Sequence, residues 1–491
     1  MSGVFGVVSR SDCAETLLYG VDYHTHLGTQ YGGMAVLGED FTRQIHNISN
    51  SQFKSKFYSD TRKMSGNKGI GVISDSDEQP VYLNSRLGSF CIVTSGFIEN
   101  AESLAAKMLE EGISFSEVSR GRVNSTELVA KIISHGKDIA DGIENMFRQI
   151  EGSCSLLILH KDGIYAARDR RGYTPLVIGR KEGAWAVTSE TTAFPNNHFK
   201  VVKYLAPGEI VLVGENGPVV RRKGASETQV CAFLWIYTGF PASDYEGINT
   251  EIVRERCGRA LAKRDKDIDV DLVSGIPDSG LAHAIGYAME SKKPFRRPIV
   301  KYTPGYGRSY MPPDQSMRDL VATMKLIPIR ELIEGNRIVV LEDSIVRGTQ
   351  LKNYTINKLW ECGAEEIHVR PACPPLMYPC KFCLSTRSVS ELSARKAIKS
   401  IEGRDIEDVS EYIDHSTQKY QKMVDWIKRD IDVTTLRYQK IEDMVEAIGL
   451  PREKLCLYCW TGECPSGRKM PEAKPVSKKK RSRLKRREKD R

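Results

Sequence analysis

The pattern of apolar and polar positions divides the chain in two. Over residues 1 to about 228, short apolar stretches recur between polar turns. GIGVIS, SFCIVTSGFI, CSLLILHKDGIYAARD, AWAVTSE and EIVLVGENGPVV read as strands. Several are joined by Gly-containing turns, such as Lys161-Asp162-Gly163 and Glu215-Asn216-Gly217. Gly3 to Val8 reads as a further short strand at the very start. Apolar residues spaced three and four apart predict helices over Asn100 to Gly112 and Ser125 to His135. From about residue 250 the pattern changes. DLVSGIPDSG runs into the helical LAHAIGYAMES, and RIVVLEDSIVRG into TQLKNYTINKLWECG and then EEIHVRPAC. Strand, loop and helix in that order predict a parallel sheet with ligand-binding loops at its strand ends. Residues 388 to 450 read as mostly helical and charged. No internal repeat is present.

Composition narrows this picture. A chain of 491 residues with 40% apolar content predicts two or three domains with a sizeable core. No apolar run approaches the roughly 18 residues of a membrane helix, and the first residues lack a signal-peptide layout. The expectation is a cytoplasmic protein with no membrane contact. The net charge of +9 is carried by Lys474 to Arg491, which hold 11 Lys/Arg and 2 Asp/Glu, so the body is neutral. That basic segment has no apolar period and is expected to be a disordered tail over 466–491. Non-specific contact with nucleic acid through the tail is its sharper reading.

Of the 12 cysteines, Cys380 and Cys383 form one C-x-x-C pair and Cys456 and Cys459 another. Two such pairs point to a metal, with zinc and an iron–sulfur cluster both chemically reasonable.

The strongest chemistry lies in RIVVLEDSIVRGTQ. Ile338 to Leu341 is a buried-strand run that delivers Glu342 and Asp343 to its C-terminal edge. Ser344 to Thr349 then turns into a helix. Hydroxyls, a small Gly and backbone N–H groups at a helix start form a phosphate cradle. Adjacent carboxylates suit ribose hydroxyls or a Mg²⁺ ion that keeps several waters.

This stretch resembles the type I phosphoribosyltransferase signature. Together with SGVFGV, IYAARDRRGYTPL, VTSET, APGEIV, IPDSG, PLMYPC and CLYCWTG, it resembles the glutamine phosphoribosylpyrophosphate amidotransferase family of purine synthesis, from about residue 2 to about 465. The resemblance implies an α+β N-terminal-nucleophile (class II glutamine amidotransferase) sandwich over 1–228. An α/β phosphoribosyltransferase domain with C-terminal helices and the Cys cluster would follow over 229–465. In the family it resembles, the first domain releases ammonia from glutamine, and the second adds it to phosphoribosylpyrophosphate to give phosphoribosylamine. By the same resemblance Ser279, Glu342 and Asp343 surround Mg²⁺. Ser344, Arg347, Gly348 and Thr349 bind the 5′-phosphate, and Arg308 is kept in the loop that closes over the pyrophosphate. Cys231, Cys380, Cys456 and Cys459 match the ligands of a [4Fe–4S] cluster, while Cys383, an additional thiol, keeps Zn²⁺ as the alternative. A homodimer or homotetramer is implied.

The chain departs from the family at its glutaminase centre. The terminal Cys nucleophile is replaced by Ser2, which removal of Met1 would leave at the terminus. Ser74, with acids at 75 and 77, stands where an Arg grips the glutamine carboxylate, so a charge-assisted pair is lost and repulsion added. Ser95 replaces the oxyanion-hole Asn, with Gly96 retained, and Ser125 replaces the Asp that holds the amine. Glu342 replaces an Asp, and the closing loop carries Asp319 and Thr323 in place of basic residues. The expectation is therefore a transferase that takes ammonia rather than glutamine, with Ser2 inactive. The alternatives are a regulatory, phosphoribosylpyrophosphate-binding paralogue beside an active partner enzyme, and a phosphoribosyltransferase with another acceptor.

Overall fold

The structure is a computed structural model, and it describes residues 2–119, 121–302, 326–382 and 388–463. The first half is built from two antiparallel sheets packed face to face. The seven-stranded sheet runs in the order 200–204, 177–181, 184–188, 3–9, 68–74, 31–37 and 41–47, with Gly3–Ser9 at its centre. The six-stranded sheet runs 217–222, 210–214, 163–167, 152–160, 88–98 and 81–85.

Strand alternation explains the layering. Val4 and Val8 point into the space between the sheets, against Leu157, Leu159 and Ile164. Phe5 and Val7 point the other way, onto helix Ala14–Asp22 through Leu17, Leu18 and Val21. That helix approaches closely because Gly20 lies over the Phe5 ring, where a Cβ would come within 2.3 Å. The outer face of the second sheet, through Phe90, Ile92, Leu156 and Ile158, is covered by helices Ser125–Ser134 and Ile139–Gln149. The result is a helix–sheet–sheet–helix sandwich, as expected. The helices over Ala101–Glu110 and Ser125–Ser134 fall within the segments whose spacing predicts them.

The second half centres on a four-stranded parallel sheet, in the order 272–275, 337–342, 366–371 and 435–436. Its period-two pattern feeds two cores. Val339 and Leu341 face helices Thr250–Arg264 and Leu281–Ser291, whereas Ile338 and Val340 face the helices that follow residue 349. The fourth strand, Thr435–Leu436, interrupts a region that reads as helical, and at two residues it carries no detectable period. The helical stretch from Thr349 to Glu361 contains a wider turn over Lys352–Ile356.

The two halves meet through buried side chains. Tyr173 stacks on Phe382, with centroids 4.2 Å apart and planes at 14°. Glu190 at the end of AWAVTSE is buried and accepts hydrogen bonds from Tyr245 Oη and, at 3.2 Å, from Ser243 Oγ. His26 Nε2 lies 2.8 Å from the same carboxylate. Among the described residues, no helix is long and apolar enough to cross a membrane.

Candidate functional site

The centre of the first sheet carries Ser2 immediately ahead of strand Gly3–Ser9. The residue is 5% exposed. Its hydroxyl points to Ser74 Oγ at 3.4 Å, and Ser95 donates its hydroxyl to the Ser2 carbonyl at 2.5 Å. Ser74 Oγ also accepts from the N–H groups of Ser76 and Asp77, at 3.2 and 3.3 Å. Asp75 accepts from Thr29 through both its N–H, at 2.7 Å, and its hydroxyl, at 3.1 Å. The loop at 74–77 is thus tied down by its own and neighbouring hydrogen bonds. Gly96 has a φ of +139°, and a Cβ there would lie 2.2 Å from the Ser153 carbonyl oxygen, so the backbone beside Ser95 requires glycine. Ser125 lies in the first turn of helix Ser125–Ser134 behind the Asn124 cap, and the next residue, Thr126, places its hydroxyl 2.7 Å from that of Thr94, which precedes Ser95.

The second centre forms where strand Arg337–Glu342 ends. Glu342 and Asp343 are both buried, at 9% and 4% exposure. Ser279 donates to Glu342 Oε1 at 2.9 Å, and so does the N–H of Asp343 at 3.1 Å. Ser344 donates to Asp343 Oδ2 at 2.5 Å. The IPDSG loop is fixed beside them because the Ile276 N–H donates to the Leu341 carbonyl, 3.0 Å away, and Gly280 packs on that same oxygen. Burial, and then the adjacent Asp343 charge, push the Glu342 carboxyl well above the ordinary range. Buried Arg254 is the nearby cation. It donates to the carbonyls of Trp235, Tyr237 and Gly239, and it feels Asp343 electrostatically.

The phosphate loop follows. Gly348 has φ +78° and opens the helix, and Thr349 is exposed at its first position. Arg347 is exposed and paired with Glu391 at 2.9 Å. Ser393 N donates to the Val346 carbonyl at 2.7 Å and braces the loop from behind. The structure therefore brings Ser279, Glu342, Asp343 and Ser344 together, with Arg347, Gly348 and Thr349 on the adjoining turn. Arg308 lies outside the described residues, as does Cys383.

The thiols gather near the junction of the halves. Val230–Cys231 and Leu455–Cys456 form a two-residue parallel pair with Cys231 opposite Cys456. Cys459 follows in a single helical turn, and its carbonyl accepts from the N–H groups of Met377 and Tyr378, at 2.9 and 3.0 Å. This draws in Cys380, whose thiol hydrogen-bonds that of Cys459. The contact, with burial and the neighbouring sulfurs, pushes the Cys459 thiol well above its ordinary range. Among the described residues, no three or more His, Cys, Asp or Glu side chains already surround a common metal position. The four thiols are neighbours rather than a finished cage.

Residues 68–196 match the glutamine amidotransferase domain family. Amidophosphoribosyltransferase from Methanocaldococcus jannaschii is 30% identical, over 95% of this chain and 98% of its own length. The chain belongs to the amidophosphoribosyltransferase family. The Bacillus subtilis enzyme of that name is 28% identical over 94% of each chain. A solved structure of the B. subtilis enzyme, complexed with ADP and GMP, superposes with a TM-score of 0.80 at 27% identity, covering 94% of this chain and 97% of that one. The architecture is accordingly a class II glutamine amidotransferase domain followed by a phosphoribosyltransferase domain, and the family's enzymes are pentosyltransferases of purine biosynthesis.

Sequence reasoning missed the buried contacts that join the halves. Glu190 sits in VTSET, a stretch that carries the resemblance, but nothing in that stretch reveals Ser243 and Tyr245 as its partners. Arg254 reads as one more charge on a polar helix and is in fact 3% exposed.

Proposed function

We propose that this chain forms phosphoribosylamine from phosphoribosylpyrophosphate and ammonia, free or delivered by a partner protein, and that its glutaminase half does not hydrolyse glutamine. The observation that carries this reading is the closed hydrogen-bond set of Ser2, Ser74 and Ser95. The hydroxyl that stands for the oxyanion donor is turned onto the chain's own backbone, and no cation stands at position 74 to hold a carboxylate. Losing one oxyanion donor costs about 10²–10³ in rate even with an intact thiol nucleophile.

The transferase centre keeps what its reaction needs. Ser279, Glu342 and Asp343 would hold Mg²⁺. Two buried carboxylates and a hydroxyl are hard oxygen donors, and their mutual repulsion is what a divalent cation relieves. When bound, the ion supplies charge neutralisation of the departing pyrophosphate. Ser344, Gly348 and Thr349 offer hydroxyls and a helix start to the 5′-phosphate. Arg347 joins them by exchanging Glu391 for the phosphate. Cys231, Cys380, Cys456 and Cys459 would hold a [4Fe–4S] cluster, or Zn²⁺, joining the C-terminal segment to the body. A cytoplasmic homo-oligomer completes the reading.

The test uses purified protein with Mg²⁺ and phosphoribosylpyrophosphate, given ammonium or glutamine in separate reactions at mildly alkaline pH. Pyrophosphate release with ammonium alone is the expected result. Comparable release with glutamine would overturn the glutaminase claim. Tight binding without release from either would replace the enzyme reading with a regulatory one. Iron content with broad visible absorption distinguishes the cluster from stoichiometric zinc.

A further inference from the structure

Glu190 is 1% exposed and belongs to the amidotransferase half, yet its hydrogen-bond donors come from the other half. It accepts from Tyr245 Oη and, at 3.2 Å, from Ser243 Oγ. From its own half His26 Nε2 stands 2.8 Å away. Two further contacts hold the same stretch. Thr191 Oγ1 accepts from the Asp244 N–H at 2.7 Å, and buried Arg168 pairs with Glu246 at 2.8 Å. Ser243, Asp244, Tyr245 and Glu246 are thus each fastened to the amidotransferase half.

The helices of the transferase half start from that stretch. The Ser243 carbonyl accepts from the N–H and the hydroxyl of Thr250, each at 2.9 Å. Asn249, which donates to Asp244 at 3.0 Å, caps helix Thr250–Arg264. One turn along, Arg254 gathers the carbonyls of Trp235, Tyr237 and Gly239. His283 lies 3.0 Å from the Arg254 carbonyl and 3.3 Å from that of Ile236, which ties helix Leu281–Ser291 to the first helix. A Cβ on Gly258 or Gly286 would strike the backbone of the opposite helix, so the pair has no room to slide. Helix Leu281–Ser291 follows the IPDSG loop directly, and its placement sets Ser279, whose hydroxyl donates to Glu342. Arg254 is also the buried cation that feels Asp343.

Contacts therefore run unbroken from one buried carboxylate of the amidotransferase half to both sides of the transferase centre. We propose that Glu190 is a positioning residue for the transferase reaction, a role that rests on the activity proposed above: it seats Ser243 and Tyr245, and through helix Thr250–Arg264 it sets Arg254 and Ser279 at the phosphoribosylpyrophosphate site. Two hydroxyls on one buried carboxylate make charge-assisted bonds that no water competes for. A misplacement of about 1 Å at a reacting centre costs up to about 10²-fold, so a holdfast far from the chemistry can govern it. Glu190 gives the amidotransferase half a part in a reaction that takes nothing from glutamine.

The test uses the full chain with Mg²⁺. Calorimetric titration gives the Kd for phosphoribosylpyrophosphate, and ammonium-dependent pyrophosphate release gives a KM for each substrate. Glu190→Gln keeps the shape and drops the charge, and Tyr245→Phe removes only the hydroxyl. Each should raise the Kd and the KM for phosphoribosylpyrophosphate about tenfold and leave the KM for ammonium within about twofold. Arg254→Lys should weaken phosphoribosylpyrophosphate at least as much. Adding Glu190→Gln to it should cost less than about twofold more, because Glu190 acts through Arg254. Unchanged phosphoribosylpyrophosphate affinity in folded Glu190→Gln or Tyr245→Phe overturns the assignment. So does an equal rise in both KM values, which is what general loosening would give, or full additivity with Arg254→Lys. The first two variants decide the matter even if Arg254→Lys does not fold. An unaltered chain that binds phosphoribosylpyrophosphate without releasing pyrophosphate defeats the proposed reaction, and the Kd comparison still decides the role of Glu190. No binding by about 5 mM defeats both.

Discussion

In the amidotransferase half, the polar groups at the centre answer one another. Ser95 donates to Ser2, Ser74 accepts from Ser76 and Asp77, and Asp75 is filled by Thr29. In the transferase half, the groups at the centre oppose one another. Two buried carboxylates sit side by side, and burial, then the neighbouring Asp343 charge, drives Glu342 toward its protonated form. A polar cluster that satisfies itself adds to a scaffold, whereas one that holds unmet charge is poised for a ligand. The contrast sets a self-satisfied polar centre beside one that holds opposed carboxylates inside one chain, under identical solvent.

The sharpest way to break that contrast is Asp343→Asn. It should lower ammonium-dependent pyrophosphate release by about 10²–10³-fold, the scale of removing one electrostatic stabiliser. The melting temperature should hold or rise, because a buried like-charge pair has been relieved; a stopped-point pyrophosphate assay beside a thermal melt reads both. Tyr173→Ala, which removes the stack on Phe382, should cost about 3–5 kcal/mol in a denaturant titration and loosen one half from the other.

Acidification tests whether the two halves differ in their buffering as they do in their sites. Each contains one histidine with no exposed surface at all. Burial lowers His24 to about 4 in the first half and His283 to about 3 in the second. Both folded values lie below the unfolded value near 6.5, so the unfolded chain binds more protons as the pH drops below that value. Stability should therefore fall with decreasing pH from about 6.5 toward 4, by up to about 1.4 kcal/mol per pH unit for each histidine. Urea midpoints at pH 7.5 and 5 measure it, and equal midpoints would refute the assignment.

Gly348→Ala is a finer cut. At φ +78° a Cβ costs about 1–2 kcal/mol, and the nearest atom it would meet, Ile431 Cγ2, lies 3.4 Å away, so the fold should survive. The KM for phosphoribosylpyrophosphate should rise about tenfold with kcat less affected. The smallest expected effect is Ser2→Cys. A thiol alone, without clamp or oxyanion donor, should leave glutamine hydrolysis within about threefold of background. A large gain would show that the serine trio is only one substitution from activity.

Much of this was legible beforehand. Short apolar runs between polar turns predict the strands, and the run Ile338 to Leu341 places Glu342 and Asp343 at a strand edge. The serine substitutions were visible because their surroundings, such as IYAARD and APGEIV, stayed intact. Their consequence was not. That Ser95 donates to the Ser2 carbonyl depends on strands 93 residues apart in sequence meeting at one register. The buried pair of Arg370 with Asp265 was hidden for the same reason. Asp265 and Arg370 are 105 residues apart, and each reads as an ordinary surface charge until the sheet brings them together. Thr435–Leu436 was missed because two residues carry no periodicity.

The short pair of Val230–Cys231 with Leu455–Cys456 closes the transferase half into a ring: the chain enters and leaves through adjacent, hydrogen-bonded residues. A module whose entrance and exit coincide can be lifted out or rewired. The region between them is suited to circular permutation, with its natural ends fused across the gap and new ones opened in an exposed turn such as Glu334–Gly335. In such a permutant the thiol group would sit at a splice rather than at a seam, and its contribution to holding the fold could be weighed apart from the half it now tethers.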